Sequence, residues 1–320
     1  MLGVSPPFLA RKHLLGLHPF PCDKRASAMK ILRLRALAIF AILLSLLLGA
    51  KAEQPVRPTR VFVCAHSFMI FTAKLLPPIA QAAGFPYTPA GQQMLGGSRV
   101  IQHWNLPDEK NFAKAALRDG KVDVLTLSPH RMLPDEGIDN FTKLGLEKNP
   151  NLRVLVQASW PGFDGVLTGF RNEQRNAATL ESLGEMRKAF REQWLTALEA
   201  QVRILNAAVG RETVHIVPVC DAVFALREHI ARGAAPGLTR QTDLFRDDIG
   251  HPLSPLAELV GYCHFATISG RTPIGLPVPA DLQAIPHSAE LNTLLQQLAW
   301  DAVTAYPLSG VKSAADGVKR

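Results

Sequence analysis

Arg60-Val61-Phe62-Val63-Cys64-Ala65-His66-Ser67 is the stretch from which the rest of the chain can be read: an apolar run that ends on a hydroxyl. A short, near-continuous apolar run is what a parallel strand covered on both faces requires. Three similar runs follow, Val122 to Leu127, Leu152 to Gln157 and Val214 to Val219. Helical patterns lie between and after them. Leu180, Leu183, Trp194, Leu198, Val202 and Leu205 recur at helical spacing within Thr179 to Val209, before Gly210 stops the pattern. A second pattern starts at Asp221 as N-cap, carries Val223, Leu226 and Ile230 on one side and ends at Gly233; a last one runs from Ser288 through Leu291, Leu294, Leu295 and Leu298. All these stripes read as core. Alternating strands and helices predict an α/β fold, a three-layer doubly wound, mostly parallel sheet, with its site beyond the carboxyl ends of the strands. Ser67, Ser128 to His130, Ser159-Trp160 and Asp221 fall at those ends.

The net charge of +8 is unevenly placed. Residues 1–52 carry eight of the 35 Lys and Arg and one of the 27 acids, which leaves 27 basic against 26 acidic residues in the remainder. A nearly neutral body argues against nucleic acid as a partner. The excess marks a targeting segment: Lys30, Arg33 and Arg35, an uncharged apolar run from Ala36 to Ala50, then Ala50-Lys51-Ala52. A charged start, a short apolar middle and a small-x-small exit predict a secretory signal peptide over residues 29–52. The run is shorter than the roughly 20 residues of a spanning helix, so no stable membrane anchor is expected after cleavage. Residues 1–28 lack apolar periodicity and include Pro6, Pro7, Pro19 and Pro21, which reads as a non-native extension upstream of a start at Met29. Residues 53–320 are then expected to form one secreted or periplasmic domain. They retain three cysteines, Cys64, Cys220 and Cys263, an odd number that rules out a fully paired framework and favours buried free thiols.

Ser67 leaves an early strand, and Asp248-Ile249-Gly250-His251 comes late. A hydroxyl, then an acid and an imidazole sharing one loop, are the parts of a serine hydrolase. Ser254-Pro255 reads as N-cap and N1 of a following helix, which sets His251 on the loop before it. Simpler readings exist for each residue: Ser67 as a helix N-cap, Asp247 and Asp248 as solvated turn acids. His264, among Tyr262, Cys263 and Phe265, reads as a core histidine. Gln157 and Trp160 read either as a hydrogen-bond donor and a stacking platform in a pocket or as packing at its rim. Other chemistries find no support: His-Glu-x-x-His, Cys-x-x-Cys pairs, acidic metal clusters and a Gly-Lys-Ser/Thr phosphate loop are all missing from the sequence, so neither metal nor cofactor is expected.

Ala65-His66-Ser67-Phe68 after a strand, Gly96-Gly97-Ser98 before a short helix containing His103-Trp104, and Asp248-x-x-His251 together resemble the SGNH (GDSL-type) hydrolase superfamily, nearest to its bacterial secreted members. The resemblance spans about residues 60–270 and rests on the order and spacing of the blocks. It implies a flavodoxin-like fold and ester hydrolysis through an acyl-enzyme. Ser67 would be the nucleophile and, through its backbone N–H, one oxyanion donor; Gly97 or Gly96 would supply the second; His251 would be the base and Asp248 its orienting acid. The third block departs from the family, which commonly has an oxyanion-donating Asn where this chain has Ser128-Pro129-His130. That leaves open whether Ser128 or His130 donates or the third donor is absent. His66 likewise stands where the family usually has Asp. The substrate implied is a small-molecule or carbohydrate ester, preferably a short acyl group on a sugar, with His130, Gln157 and Trp160 beside it. The competing expectation is a non-catalytic carbohydrate-binding or envelope protein retaining the fold.

Overall fold

The computed structural model describes residues 57–166 and 168–312. The predicted signal segment 29–52 and the extension 1–28 lie outside them. Five strands, β1 (Thr59–Ala65), β2 (Tyr87–Met94), β3 (Val124–Leu127), β4 (Arg153–Gln157) and β5 (Val214–Val217), form one sheet in the order β2-β1-β3-β4-β5. Every pairing is parallel. The fold is α/β, a three-layer doubly wound sheet.

Strand period two divides the core between the layers. Val61, Val124, Leu155 and Val217 face the helices Thr72–Ala82, Val219–Ala231, Ser254–Ser269 and Ser288–Ala305. Phe62, Cys64, Leu125, Leu127, Val154 and Ile216 face the opposite layer, made largely of the helices Phe112–Arg118, Glu136–Lys148 and Thr196–Val209. Both sides of the inner strands are therefore dry, the physical reason their sequences are continuously apolar. Cys64, Cys220 and Cys263 are buried free thiols within these layers.

Several boundaries differ from the sequence expectation. The helix expected to start with Asp221 as N-cap starts at Val219 after Pro218, and Asp221 lies in its first turn, paired with Arg187 at 2.7 Å. Ser254 is the first helical residue, with Leu253 as N-cap. The long pattern Thr179 to Val209 is helical throughout, but a π-turn at Arg191–Leu195 separates Leu180–Phe190 from Thr196–Val209. The sequence pattern does not mark β2. It is an edge strand with mostly exposed or half-exposed side chains and a proline at position 89, so it shows neither an apolar run nor clean alternation.

The chain crosses from one side of β1 to the other between β2 and β3. Successive strands that diverge on either side of a central one leave a crevice at their carboxyl ends. The exits of β1 and β3 meet there.

Candidate active site

At the β1 exit the chain turns sharply. His66 N–H donates to Ser128 Oγ at 2.9 Å, tying the end of β1 to the end of β3. The His66 ring completes the turn: Nδ1 accepts from Phe68 N–H at 3.2 Å, and Nε2–H donates to the Pro129 carbonyl at 3.3 Å. Burial is the main cause that lowers the His66 pKa to about 4, which keeps the ring neutral, and the Phe68 N–H, needing an acceptor at Nδ1, sets this tautomer. Accepting from the amide two residues on is the contact an Asp makes in an Asx turn, so His66 shapes the loop without a carboxylate. Gln157 adds a strut, donating from Nε2 to the Phe68 carbonyl at 3.0 Å. Ser67 is thereby held at the mouth of the crevice, half-exposed.

His251 arrives on a short antiparallel loop. Phe245 bridges Pro252, Arg246 N–H donates to the His251 carbonyl at 2.8 Å, and Leu253 N–H donates to Leu244 at 2.9 Å. The tip closes as Gly250 N–H donates to the Asp247 carbonyl at 3.0 Å. Asp247 Oδ1 accepts from the amides of Gly250 (3.0 Å) and His251 (3.1 Å), and Oδ2 accepts from His251 Nδ1 at 2.7 Å. His251 Nε2 lies 2.9 Å from Ser67 Oγ. Burial alone would raise the Asp247 carboxyl, but the hydrogen bonds from the His251 ring and the two amides hold it below its ordinary value. An ionised Asp247 requires the proton on Nδ1 and leaves Nε2 as the acceptor for the Ser67 hydroxyl.

This corrects one sequence assignment. Asp248, expected to orient His251, points away from it: its carboxylate accepts from Asn172 N–H at 2.8 Å and pairs with Arg171 at 3.0 Å. The turn itself explains the difference. With Asp247 at its first position and Gly250 at its fourth, the carboxylate folds over the following amides and meets the ring that comes next.

Arg175, which sequence reasoning missed, supports the loop from below. It is 1% exposed and stacks between the rings of Phe170 and Phe245, 4.8 and 4.6 Å from their centroids. Nη1 and Nη2 donate to the carbonyls of Asp247 (3.1 Å) and Asp248 (2.9 Å), and Nε donates to Asp164 at 3.0 Å. Asp164 also accepts from buried Arg227 at 2.6 Å. These pairs hold Phe163 and Asp164 at φ of 53° and 50°, strained for residues with a Cβ. Gly250 has φ of 102°, and a Cβ there would stand 3.1 Å from Arg175 Nη2 and 3.4 Å from Trp160 Nε1, so only glycine fits.

The remaining predicted residues divide. Gly96 and Gly97 line the same cavity as Ser67 and His251. Their turn is braced behind by Ser98 Oγ, which donates to Leu95 O and accepts from His103 Nε2 at 2.9 Å, while His103 Nδ1 accepts from Gln93 at 3.1 Å. Among the described residues, the backbone N–H groups of Ser67 and Gly97 have no hydrogen-bond acceptor. Ser128 is 1% exposed, engaged by His66 and absent from the cavity wall. Gln157 is fully buried too: it shares strand parity with Leu155, so it faces the helix Ser254–Ser269, where Oε1 accepts from His264 at 2.8 Å. Neither Ser128 nor Gln157 can meet a substrate directly. Trp160 lines the cavity but is 4% exposed, stacked on Phe68 at 4.6 Å and donating to the Gly250 carbonyl at 3.0 Å, so it ties β4 to the histidine loop instead of offering an open face. His130 lines the cavity, and its carbonyl accepts from the Trp194 indole at 2.9 Å. Trp160 thus takes the packing alternative, and Trp194 and Phe190, stacked at 5.1 Å beside the π-turn, form an aromatic wall of the cavity.

The cavity holds about 850 Å³ and is bounded by β-strand exits on one side and by the strap Trp160–Gly165 and the Phe190–Trp194 pair on the other. Chemically, a hydroxyl, an imidazole with one nitrogen free to take its proton, and a carboxylate fixing the other nitrogen can move a proton off the oxygen and return it elsewhere. Among the described residues no group of three or more His, Cys, Asp or Glu is placed to hold a metal ion, and no helix is long and apolar enough to cross a membrane.

No protein-family model matches the chain, and no curated protein matches it. Among solved structures, it is similar to a DUF4886 family protein from Bacteroides uniformis, with 14% identity and a TM-score of 0.49, over 81% of this chain and 99% of that one.

Proposed function

We propose that this protein is an SGNH-like serine ester hydrolase working through an acyl-enzyme. The observation that carries the reading is the unbroken chain of short contacts from Ser67 Oγ to His251 Nε2, 2.9 Å, and from His251 Nδ1 to Asp247, 2.7 Å, at the wall of a cavity. Ser67 Oγ attacks the ester carbonyl as His251 takes its proton. The negative oxygen that forms is met by the free N–H groups of Ser67 and Gly97. His251 then gives the proton to the departing alcohol as the C–O bond breaks. Water, deprotonated by the same nitrogen, releases the acid and restores Ser67. Asp247 keeps the tautomer and stabilises the imidazolium throughout.

The volume of about 850 Å³ exceeds what a short acyl group needs, so most of it is available to the alcohol. The stacked Phe190 and Trp194 suit a sugar ring there, which favours a short acyl ester on a carbohydrate. Export with loss of residues 29–52 belongs to the same reading. Chromogenic acetyl and butyryl esters test it. Turnover by the purified protein that vanishes in Ser67→Ala is the expected result; turnover equal in the two proteins, or none in a folded parent, overturns it.

A further inference from the structure

The cavity has an electrostatic asymmetry that ester hydrolysis does not use. Arg131 follows His130 at the exit of β3 and lines the cavity wall together with Ser67 and His251. It is exposed and, among the described residues, makes no hydrogen bond or salt bridge. No Asp, Glu or Lys lines the cavity, so Arg131 is its one permanent charge among the described residues. Arg131 Nη2, Phe68 Cζ and the Ile249 carbonyl lie 3.9, 4.0 and 3.5 Å from the point a Cβ of Gly162 would occupy. Phe68 follows Ser67 in the chain and Ile249 belongs to the histidine loop, so the guanidinium, the ring beside Ser67 and the histidine loop all approach Gly162. The neighbouring His130 is kept neutral, its pKa lowered by burial and by Arg131.

A guanidinium on a cavity wall without a protein carboxylate is a ready bidentate partner for a planar anion. We propose that Arg131 is a specificity-determining residue, and that the ester this site hydrolyses carries a carboxylate or another compact anionic group a few bonds from the scissile carbonyl. The inference rests on the hydrolase reading above and narrows its substrate class from neutral to anionic esters. A free carboxylate on the acyl chain and one on the alcohol share the chemistry, and the assay distinguishes them.

The test compares kcat/KM for 4-nitrophenyl butyrate with that for mono-4-nitrophenyl glutarate, whose acyl end is charged, and for butyrate esters of phenols bearing or lacking a carboxylate. Parent, Arg131→Gln and Arg131→Glu are assayed, and calorimetric titration with glutarate alone is run in parallel. The parent is expected to favour one anionic series by about ten-fold or more, with the preference lost in Arg131→Gln, chiefly through KM, and reversed in Arg131→Glu. Glutarate binding is expected in the parent and weakened at least ten-fold in Arg131→Gln. Turnover of neutral and anionic esters at equal rates, or a preference that survives in Arg131→Gln, overturns the inference while the hydrolase reading stands. Glutarate binding that depends on Arg131 in a protein that turns over neither ester supports the anion site and sinks the hydrolase reading.

Discussion

His251 meets Ser67 directly and His264 reaches the same turn only through Gln157, and the surroundings of the two rings are opposite. His251 is partly exposed, with a carboxylate on Nδ1 and the Ser67 hydroxyl on Nε2. His264 is fully buried, donates from Nε2 to Gln157, and its Nδ1 has no partner. Burial lowers its pKa to about 3. Taking up a proton at His264 would bury an uncompensated charge, which costs several kcal/mol. Taking one up at His251 places the charge beside ionised Asp247. A histidine becomes a base through its counter-charge and an open nitrogen. The other ring, through Gln157 and its grip on the Phe68 carbonyl, braces the turn that carries Ser67 without reaching its hydroxyl.

The contrast breaks most visibly by removing the reacting atoms. Ser67→Ala and His251→Ala are each expected to cut ester turnover by about 10⁴-fold or more, and the double variant to be no worse than either, because a nucleophile and its base act as one unit. Additive losses would contradict this. Gly97→Val comes next: glycine there holds φ of 60°, beside the N–H assigned to the oxyanion, and loss of one donor is worth about 10²–10³ in rate. Ser128→Ala, which sits outside the cavity, is expected to change rate far less, and a reversed order would reassign the oxyanion donors. Arg175→Met should lower kcat by about ten-fold with KM little changed, since it frees the histidine loop without touching the cavity. An unchanged kcat in the folded variant would show that the loop holds itself.

The smallest effect on chemistry belongs to the bracing side. His264→Asn is expected to alter turnover within a few-fold and to act on stability against pH. His264 in the folded protein has a pKa near 3, and burial likewise lowers His66, His103 and His215 to about 4. Unfolded, each takes a proton below pH about 6.5. The folded protein therefore binds fewer protons in the window between, and each ring's contribution is present above pH 6.5 and falls as pH drops towards the folded value, by about 1.4 kcal/mol per pH unit. Denaturant unfolding at pH 7, 6 and 5 should show stability falling towards acid, with a shallower slope in His264→Asn. Equal slopes would mean that His264 protonates in the fold.

The sequence reveals the inner strands because a strand covered on both faces has to be apolar along its length, as in Val61–Cys64 and Val154–Val156. Edge strand β2 shares its backbone pairing and none of that pattern. Ser67 and His251 are legible from the strand exit and the late loop. The acid is displaced by one residue because the Asp-x-x-His spacing suggests Asp248, whereas the turn is governed by Asp247 and Gly250, and an Asp followed three residues later by Gly was the available signal. Gln157 could have been placed by parity with Leu155. Arg175 could not have been: a buried, stacked arginine and a solvated one look alike in sequence, and only the fold shows Phe170 and Phe245 closing on it.

Labelling by a fluorophosphonate probe measures the central claim, an activated Ser67 served by His251 and Asp247, without knowledge of the substrate. Intact-mass and peptide analysis should place one adduct on Ser67 of the parent. The rate should fall by about 10² or more in Asp247→Asn, which removes the charge behind the imidazolium, and stay within a few-fold of the parent in Asp248→Asn. An adduct elsewhere, or labelling that Asp248→Asn silences while Asp247→Asn leaves it intact, would contradict the account.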